Sequence, residues 1–403
     1  MGRGIKIENL EKNYSIFEYF VVYLQLEIFM LYNIITFGCQ MNVHESEKIA
    51  GMLENMGYMP TDSKEDADII VFNTCAIREG AEDRAFGNIG NLKKMKKANP
   101  NKIIAICGCM TQQKQVAEKL HGLFPFVDII LGTHNLYELP NYINEIKNGK
   151  KRLVYNKESG SVVENIPVTR TSGNNAWVNI MYGCNNFCSY CIVPYVRGRE
   201  MSRRSCDIIN ECKKVIASGK YSQITLLGQN VNSYKDPDNE EYVFANLLKD
   251  ICLLDGDFKL TFMTSHPKDI SDEVIDILAS EDKILKELHL PVQSGSNNIL
   301  KAMNRKYTRE HYLGIIDKLK SKMPNIRLTT DIIVGFPGET EQDFEDTVDL
   351  IKTVKYDGIF AFMYSKRSGT VAEKMPNQID ESVKKYRVNK ILELEKEIQK
   401  QKG

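Results

Sequence analysis

The formal net charge of this 403-residue chain is zero, and long apolar runs and cysteines are scarce. The 53 Lys and Arg residues balance the 53 Asp and Glu residues, which argues against a general basic coat for nucleic acid. A local basic patch stays open, because only the cations that touch phosphate matter. Ten cysteines are too few for a secreted disulfide scaffold and more than core packing suggests. In a reducing compartment such thiols are buried, catalytic or bound to metal.

The N-terminal segment raises the question of a membrane span, because residues 16–37 are rich in apolar and aromatic side chains. Glu18 and Glu27 leave only eight uncharged residues between them. A membrane-spanning helix needs roughly 20 apolar residues. No small-residue cleavage pattern follows. We therefore expect a cytoplasmic protein without membrane association, and residues 1–31 are interpreted as an atypical N-terminal extension.

The first half of the chain alternates short apolar runs with amphipathic stretches. The predicted strands are 32–37, 69–73, 103–107 and 127–131, and the predicted helices are 45–57, 79–97, 111–121 and 136–147. Buried-type strands that alternate with helices predict βαβ crossovers and a doubly wound parallel sheet. This domain is predicted to cover residues 32–150, and a polar linker containing a strand or two is predicted at 151–175.

A second alternating set follows the linker. Its predicted strands are 177–182, 223–229, 259–264, 287–292, 327–334 and 358–364. Six βα units are two short of a closed eight-stranded barrel. The sequence therefore predicts a partial, open (β/α)6 barrel over residues 176–379, with functional groups at the carboxyl ends of its strands. The tail at 380–403 is predicted to be an amphipathic helix.

Three cysteines lie close together in the loop after the first barrel strand, with the spacing Cys-x3-Cys-x2-Cys. We name Cys184, Cys188 and Cys191 the loop cysteines. The next cysteine, Cys206, comes fifteen residues later. Four sulfurs would indicate a closed zinc or ferredoxin site, whereas three leave one iron of a 4Fe–4S cluster without a protein ligand. The alternatives are a zinc site completed by a distant His and simple reduced thiols.

Three further cysteines each follow a predicted strand of the first domain. We name Cys39, Cys75 and Cys109 the sheet-edge cysteines, which are 36 and 34 residues apart along the chain. The carboxyl ends of parallel strands lie along one edge of a sheet, so these thiols are expected to converge. Cys107 competes with Cys109 but lies inside the apolar run, as a core thiol does. Scattered core cysteines are the alternative; otherwise the chain holds two clusters, each with an open iron.

Several segments carry a resemblance to a known family, in family order from residue 32 to about 378. They are Phe-Gly-Cys-Gln-Met-Asn (37–42), Asn-Thr-Cys-Ala-Ile-Arg-Glu (73–79), Met-Tyr-Gly-Cys-Asn-Asn-Phe-Cys-Ser-Tyr-Cys-Ile-Val-Pro (181–194), Leu-Leu-Gly-Gln-Asn-Val-Asn-Ser-Tyr (226–234), Thr-Ser-His-Pro (264–267), Leu-His-Leu-Pro-Val-Gln-Ser-Gly-Ser (288–296) and Thr-Thr-Asp-Ile-Ile-Val-Gly-Phe-Pro-Gly-Glu-Thr (329–340). With them the chain resembles the radical S-adenosylmethionine methylthiotransferases, in the branch of the tRNA-2-methylthio-N6-dimethylallyladenosine synthases. The Cys-Ala-Ile-Arg-Glu segment favours this branch over relatives that modify a ribosomal protein or threonylcarbamoyladenosine.

The resemblance implies two 4Fe–4S clusters and S-adenosylmethionine as cofactors. The loop cysteines would hold the cluster that binds and reductively cleaves S-adenosylmethionine, and the sheet-edge cysteines would hold an auxiliary cluster that carries the sulfur. The resulting radical would remove hydrogen from C2 of N6-isopentenyl(dimethylallyl)adenosine at position 37 of tRNA, where a methylthio group is attached. The implied partners are tRNA, an electron donor such as flavodoxin or ferredoxin, and a sulfur donor. We expect a monomer.

Polar residues at the barrel strand ends are weaker candidates for contacts with S-adenosylmethionine or the adenine. Gln229 and Asn230 end the second strand, Gln293 and Ser294 end the fourth, and Asp331 lies within the fifth. The alternative is that they satisfy backbone groups or each other.

Tyr190, inside the loop that carries the loop cysteines, belongs to the same predicted cofactor-binding set. No catalytic residue beyond the cluster ligands is predicted. The arginines that follow the loop, at 197, 199, 203 and 204, either bind phosphate or form an exposed helix start.

The C-terminus departs from the family pattern. Members of this branch usually end in a small β-barrel RNA-binding module, the TRAM domain, whereas the tail from Asp380 to Gly403 has the pattern of a charged helix. We therefore expect no TRAM domain. Two other functions stay open: the same chemistry on threonylcarbamoyladenosine or a protein side chain, and a non-enzymatic iron–sulfur electron carrier.

Overall fold

The structure is a computed structural model that describes residues 30–76 and 81–402. The predicted N-terminal extension at 1–31 therefore lies almost entirely outside the described residues. Among the helices of the described ranges, none combines the length and the apolar character needed to cross a bilayer.

The first domain is built on a six-stranded sheet whose strands are all parallel, in the order β2-β1-β3-β4-β5-β6. The strands are β1 (Met30–Thr36), β2 (Tyr58–Pro60), β3 (Ile69–Thr74), β4 (Ile103–Gly108), β5 (Ile129–Leu131) and β6 (Leu153–Tyr155). The helices are α1 (Gln40–Asn55), α2 (Ala81–Ala98), α3 (Cys109–Gln112), α4 (Lys114–Leu123) and α5 (Leu139–Lys147), with a 3-10 helix at Thr133–Glu138.

Helices cover both faces of this sheet because its central strands are apolar on both sides. Every residue of β3 and β4 is buried. Neighbouring residues of a strand point to opposite faces, so Val71 packs in the core with α1 and α5, and Phe72 packs in the core with α2 and α4. The predicted doubly wound parallel sheet is thus confirmed.

The strands at the two edges of this sheet were not individually predicted. β2 and β6 have three residues each, two of them exposed, so neither shows an apolar period. β6 lies inside the range predicted as a linker and pairs with β5. The helix predicted at 111–121 is two helices, because the backbone is extended at Gln113 (φ −75°, ψ 111°).

The second domain contains the six predicted barrel strands. Its strands are β7 (Asn175–Asn179), β8 (Met181–Tyr182), β9 (Met201–Ser202), β10 (Gln223–Leu227), β11 (Lys235–Asp236), β12 (Asn239–Val243), β13 (Lys259–Phe262), β14 (Glu287–His289), β15 (Arg327–Val334) and β16 (Gly358–Met363). Its helices are α6 (Val193–Val196), α7 (Ser205–Ala217), α8 (Phe244–Cys252), α9 (Asp272–Ser280), α10 (Asn297–Ala302), α11 (Arg309–Lys322) and α12 (Glu341–Val354), with 3-10 helices at Val231–Ser233 and Ala372–Lys374.

These strands form a partial barrel from two parallel sets, β7-β10-β13 and β14-β15-β16. A parallel bridge from Leu260 to Ile284 joins the sets, and β8-β9 and β11-β12 are small antiparallel pairs beside them. The predicted open barrel is confirmed.

The face of β15 and β16 away from the helices is open. Along β15 every second residue is buried, whereas Asp331 and Ile333 are partly exposed. The register pairs Asp331 with Phe360 and Ile333 with Phe362. Phe360 is 55% exposed and Phe362 48%, so two aromatic rings line the barrel's open side.

The predicted C-terminal tail is the single helix α13 (Glu381–Lys402). Ile391 and Ile398 are buried in the barrel core. The buried guanidinium of Arg387 pairs with the Glu339 carboxylate, with Nη1 2.6 Å from Oε2. The tail therefore packs as part of the second domain.

Candidate functional site

The sheet-edge cysteines follow β1, β3 and β4, which are neighbours in the first sheet. The expected convergence at the carboxyl edge therefore follows directly from the strand order. Cys39 precedes α1 and Cys109 begins α3. Cys75 is 1% exposed and Cys109 is fully buried.

Asn42, in the first turn of α1, lies between these thiols. Its Oδ1 is 3.9 Å from Cys39 Sγ and 4.0 Å from Cys109 Sγ. Its Nδ2 donates to the Phe37 carbonyl at 2.8 Å and to the Thr74 carbonyl at 2.9 Å, which fixes the amide orientation. Asn42 lies inside the Phe-Gly-Cys-Gln-Met-Asn motif, but the sequence alone does not indicate its role, because its partners come from three separate strand ends.

Gly38 gives the Cys75 side chain its space. The residue has φ +125°, and a Cβ built there would lie 2.9 Å from Cys75 Cβ and 3.1 Å from its Sγ. A side chain at this position would therefore both strain the backbone and displace the thiol.

Cys107 and Cys109, two residues apart, lie in different surroundings. Cys107 is in the interior of β4, and its Sγ is 3.5 Å from the Phe72 carbonyl oxygen. Cys109 has left the strand and lies in a buried apolar cluster with Ala76, Ile192 and Val196. Burial raises the pKa of Cys109 to about 12, so its thiol stays protonated until a cation replaces the proton.

The loop cysteines lie between β8 and α6. Hydrogen bonds with the segment after α10, on the far side of the barrel, fix the conformation of this loop. The Cys191 amide donates to the Cys188 carbonyl at 2.9 Å, which closes a turn. The Ser189 amide donates to the Met303 carbonyl at 2.9 Å, and Asn304 Nδ2 donates to the Phe187 carbonyl at 2.9 Å. Burial raises the pKa of Cys191 to about 12.

The start of the loop depends on Gly183, which has φ +70°. A Cβ at this position would lie 2.1 Å from the Arg199 carbonyl oxygen. Only glycine fits this approach of two backbone segments.

One buried wall separates the two cysteine sets. Ile192 and Val196 follow the loop cysteines and pack against Cys109. Arg197 continues from there into the first domain, where its Nη1 lies 2.6 Å from Glu45 Oε1 and its Nη2 lies 2.9 Å from Asn42 Oδ1. The loop of one site thus supplies the wall and a buried cation of the other.

Helix α1 anchors the domains to each other at this wall. Glu47 Oε1 accepts hydrogen bonds from the Thr171 amide at 2.9 Å and from Ser172 Oγ at 2.8 Å. Lys48 Nζ donates to the Tyr182 hydroxyl at 2.8 Å.

Three of the predicted strand-end residues present unpaired buried oxygens. Gln229 Oε1, Asn230 Oδ1 and Gln293 Oε1 have no hydrogen-bond partner among the described residues. The backbone of Gln293 has φ +69°, and its backbone N–H donates a hydrogen bond to the Asp331 carbonyl at 2.9 Å. Buried polar atoms without partners are rare in folded proteins, so these oxygens fit a polar ligand at the strand ends.

The other predicted contacts differ in how far the protein already satisfies them. Ser294 Oγ accepts a hydrogen bond from the Ser296 backbone amide at 3.2 Å and lies 3.3 Å from Thr347 Oγ1 of helix α12, so it already has partners within the protein. Asp331 Oδ1 lies 3.6 Å from His289 Nε2 and is partly exposed. Tyr190 packs against a small apolar cluster that includes Met303.

The segment after β13 holds two further candidates for ligand contacts, which are not among the predicted residues. Ser265 Oγ and His266 Nε2 are also buried without a partner among the described residues. Burial, together with Arg305 and Lys268, lowers the pKa of His266 to about 2, so its ring is neutral.

Two of the four arginines after the loop form ion pairs inside the protein. Arg197 pairs with Glu45, and Arg203 pairs with Glu164 at 2.6 Å and with Glu211 at 2.7 Å. Of the four, Arg199 and Arg204 are exposed, and the Arg199 guanidinium lies 4.3 Å from the Phe187 ring centroid.

Within residues 30–76 and 81–402, no three His, Cys, Asp or Glu side chains are arranged to hold a single metal ion. A cluster of several irons spreads its thiolates farther apart than one ion does, so this finding concerns the single-ion alternative. The buried thiols, the cations beside them and the unpaired strand-end oxygens fit an iron–sulfur cluster with an adjacent polar ligand.

Comparison with family models and solved structures defines the class. Residues 178–351 match the model of the radical SAM superfamily, and residues 31–132 match the model described as uncharacterized protein family UPF0004. The radical S-adenosylmethionine methyltransferase TsrM of Kitasatospora setae aligns with TM-score 0.61 at 13% identity, over 86% of this chain and 77% of that one. The cobalamin-dependent radical enzyme OxsB aligns with TM-score 0.56 at 13% identity, over 93% of this chain and 57% of that one. These two likenesses show a radical SAM fold.

Curated relatives define the family within this class. A tRNA-2-methylthio-N(6)-dimethylallyladenosine synthase of Thermoanaerobacter sp. (strain X514) is 53% identical over 93% of this chain and 79% of its own length. Synthases of the same name from Carboxydothermus hydrogenoformans and Clostridium botulinum (strain Loch Maree / Type A3) are 53% and 54% identical, over 90% and 91% of this chain and 83% and 82% of their own lengths. The chain belongs to this synthase family.

Proposed function

We propose that this chain is a radical SAM methylthiotransferase that adds a methylthio group to C2 of N6-isopentenyl(dimethylallyl)adenosine at position 37 of tRNA. The observation that carries the proposal is the placement of two three-cysteine sets on either side of one buried wall. With this placement, one substrate could reach the chemistry that both clusters would supply. Family membership supports the acceptor nucleoside.

Each cysteine set would hold one 4Fe–4S cluster with an open iron. When bound, these clusters and S-adenosylmethionine supply the electron, the carbon radical and the sulfur of the reaction. The loop cysteines would leave one iron without a protein ligand, and the unpaired oxygens of Gln229, Asn230 and Gln293 would accept hydrogen bonds from S-adenosylmethionine. Burial of the site keeps water away from a radical.

The open face of the barrel offers an apolar surface to the substrate. Phe360 and Phe362 are the exposed rings on this face, beside Ile333. Aromatic rings bind both a base that has left its stack and an aliphatic chain. An isopentenyl group attached to adenine carries both features, so this face suits the proposed base better than an unmodified adenosine.

The remaining assignments are part of the same proposal. The substrate is tRNA, one electron comes from a donor such as flavodoxin or ferredoxin, and a separate sulfur donor restores the auxiliary site. We further propose that the enzyme acts as a monomer in the cytoplasm.

Nucleoside mass spectrometry tests the proposal. tRNA is taken from a bacterial host that lacks its own methylthiotransferase, with and without this gene. We expect 2-methylthio-N6-isopentenyladenosine only when the gene is present. Unchanged N6-isopentenyladenosine, with both clusters intact on the purified protein, would contradict the proposal. Methylthiolated threonylcarbamoyladenosine instead would indicate the other acceptor.

A further inference from the structure

Four arginines of the described residues are buried, and one of them lacks an acidic partner. Arg197, Arg203 and Arg387 each form an ion pair with a glutamate. Arg305 is equally buried, at 8% exposure. In the described part of the chain no carboxylate pairs with it.

The groups that face Arg305 are a phenol, a backbone carbonyl and a cysteine sulfur. Its Nε donates to the Tyr307 hydroxyl at 2.9 Å and its Nη2 to the Pro291 carbonyl at 2.7 Å. Its Nη1 lies 3.6 Å from Cys188 Sγ, a sulfur of the loop cysteines. The guanidinium is thus directed at the proposed cluster by two neutral hydrogen bonds.

A buried cation is stable only when a counter-charge is present, because the low dielectric of the interior penalises an isolated charge. The guanidinium remains protonated at any working pH. Among the described residues, the group that could bring a counter-charge to the guanidinium is the Cys188 sulfur, through the negatively charged species that it would hold. Arg305 therefore complements a negatively charged group at the loop cysteines.

We propose that Arg305 raises the reduction potential of the cluster held by the loop cysteines. In the reduction step an external one-electron donor is oxidised by one electron, the cluster gains that electron, and no bond or proton changes. The cluster becomes one unit more negative. An adjacent buried cation stabilises this reduced form more than the oxidised form, so it makes reduction easier.

The test is a redox titration of the cluster in the absence of S-adenosylmethionine. Electron paramagnetic resonance monitors the reduced cluster at each potential. The parent protein carries alanine at all three sheet-edge cysteines, so a single cluster is observed. In this parent, Arg305→Gln and Arg305→Met each remove the charge. Met also preserves most of the side-chain volume and places no polar group of its own at this buried position.

We expect the equilibrium constant of one-electron reduction to fall about tenfold or more in both neutral variants. That change lowers the midpoint potential by about 59 mV for a one-electron couple. Arg305→Lys keeps a positive charge and should stay within about twofold of the parent. Unchanged midpoints in the neutral variants, with iron content and spectra preserved, would overturn the inference.

Tyr307→Phe is the matched control, because it removes one hydrogen-bond partner of Arg305 and leaves the charge in place. We expect less than about a twofold change. If this variant shifts the midpoint as far as Arg305→Met, hydrogen-bond geometry rather than charge sets the potential and the inference fails. A tenfold fall in Arg305→Lys would contradict it in the same way.

This inference rests on the proposed function, and the experiment separates the two. If the parent protein assembles no cluster at the loop cysteines, the proposed function fails. If the cluster assembles and its midpoint potential is unchanged in the neutral Arg305 variants, only this inference fails.

Discussion

The two cysteine sites reach similar ligand sets by opposite routes. The sheet-edge cysteines are 36 and 34 residues apart and meet because β1, β3 and β4 are neighbours. The loop cysteines lie within eight residues and need no long-range topology to approach each other. The conformation of this loop is held by hydrogen bonds with Met303 and Asn304, on the far side of the barrel. The sheet-edge site therefore depends on the order of the strands. The loop site depends on the local spacing of its cysteines and on hydrogen bonds from the barrel.

The sites also differ in how their buried cations are balanced. Arg197, at the sheet edge, is paired with Glu45. Arg305, at the loop, faces a sulfur and neutral groups. The sheet edge is therefore close to electrically neutral before any cluster binds, whereas the loop site carries an uncompensated positive charge. This difference suits a site that holds sulfur and a site that must accept an electron.

The largest expected effect comes from removing one ligand from each site. Cys191→Ala should abolish both S-adenosylmethionine cleavage and methylthiolation, because both depend on the loop site. Cys109→Ala should retain cleavage and lose methylthiolation. Cleavage is measured as 5′-deoxyadenosine by chromatography, and methylthiolation is measured by nucleoside mass spectrometry.

Cys107→Ala is the matched control for Cys109, since it lies two residues away in the same strand region. Its thiol is in the strand interior, so both activities should persist. Unchanged methylthiolation in Cys109→Ala would refute the ligand assignment at the sheet edge.

Breaking the charge pair at the sheet edge should give the next largest effect. Arg197→Met leaves the Glu45 carboxylate buried and alone, which should destabilise the apoprotein by about 3–5 kcal/mol. Arg197→Met combined with Glu45→Gln should recover most of this loss. Arg305→Met should cost less, because no carboxylate is left behind. Denaturant midpoints of the four apoproteins measure these differences, and an equal loss in Arg197→Met and Arg305→Met would remove the contrast between the sites.

Asn42→Ala should weaken the sheet edge specifically. The substitution leaves the Phe37 and Thr74 carbonyls without their side-chain donor, at a cost of about 1–3 kcal/mol. Asn88→Ala, on helix α2, is the control and should change stability by less than about 0.5 kcal/mol. Thermal unfolding of the apoproteins compares them. Equal melting temperatures for wild type and Asn42→Ala would show that the amide does not hold the strand ends together.

The smallest expected effect is at the barrel strand ends. Gln293→Leu removes a buried unpaired oxygen, so the apoprotein should be no less stable. Binding of S-adenosylmethionine should weaken about tenfold, or about 1.4 kcal/mol, in equilibrium dialysis of the cluster-loaded protein. Gln223→Leu, at the amino end of β10, is the control and should bind normally. Normal binding in Gln293→Leu would remove this residue from the cofactor contacts.

Sequence reasoning predicted the features that depend on local pattern. The six barrel strands and the four main strands of the first sheet are predictable because each contains a short apolar run, separated from the next run by a helix-forming stretch. The spacing of the loop cysteines is itself local. The convergence of the sheet-edge cysteines also followed, because strand ends in a parallel sheet share one edge.

Features that depend on contacts between distant residues were missed. β2 and β6 are three-residue edge strands without a period. Arg305 is 117 residues from Cys188, and no pattern near either residue signals that they meet. Asn42 was visible in a motif, but its role requires the positions of three strand ends. Arg197 was weighed as a phosphate ligand or an exposed cation, and the structure buries it against Glu45.

We expect the two three-cysteine sites to be independent, so that each holds its own cluster. Mössbauer spectroscopy with iron quantification tests it on the reconstituted wild type and on two triple variants, one lacking the loop cysteines and one lacking the sheet-edge cysteines. We expect two 4Fe–4S clusters in the wild type and one in each triple variant. A triple variant that retains both clusters, or one that loses both while remaining folded, would contradict it.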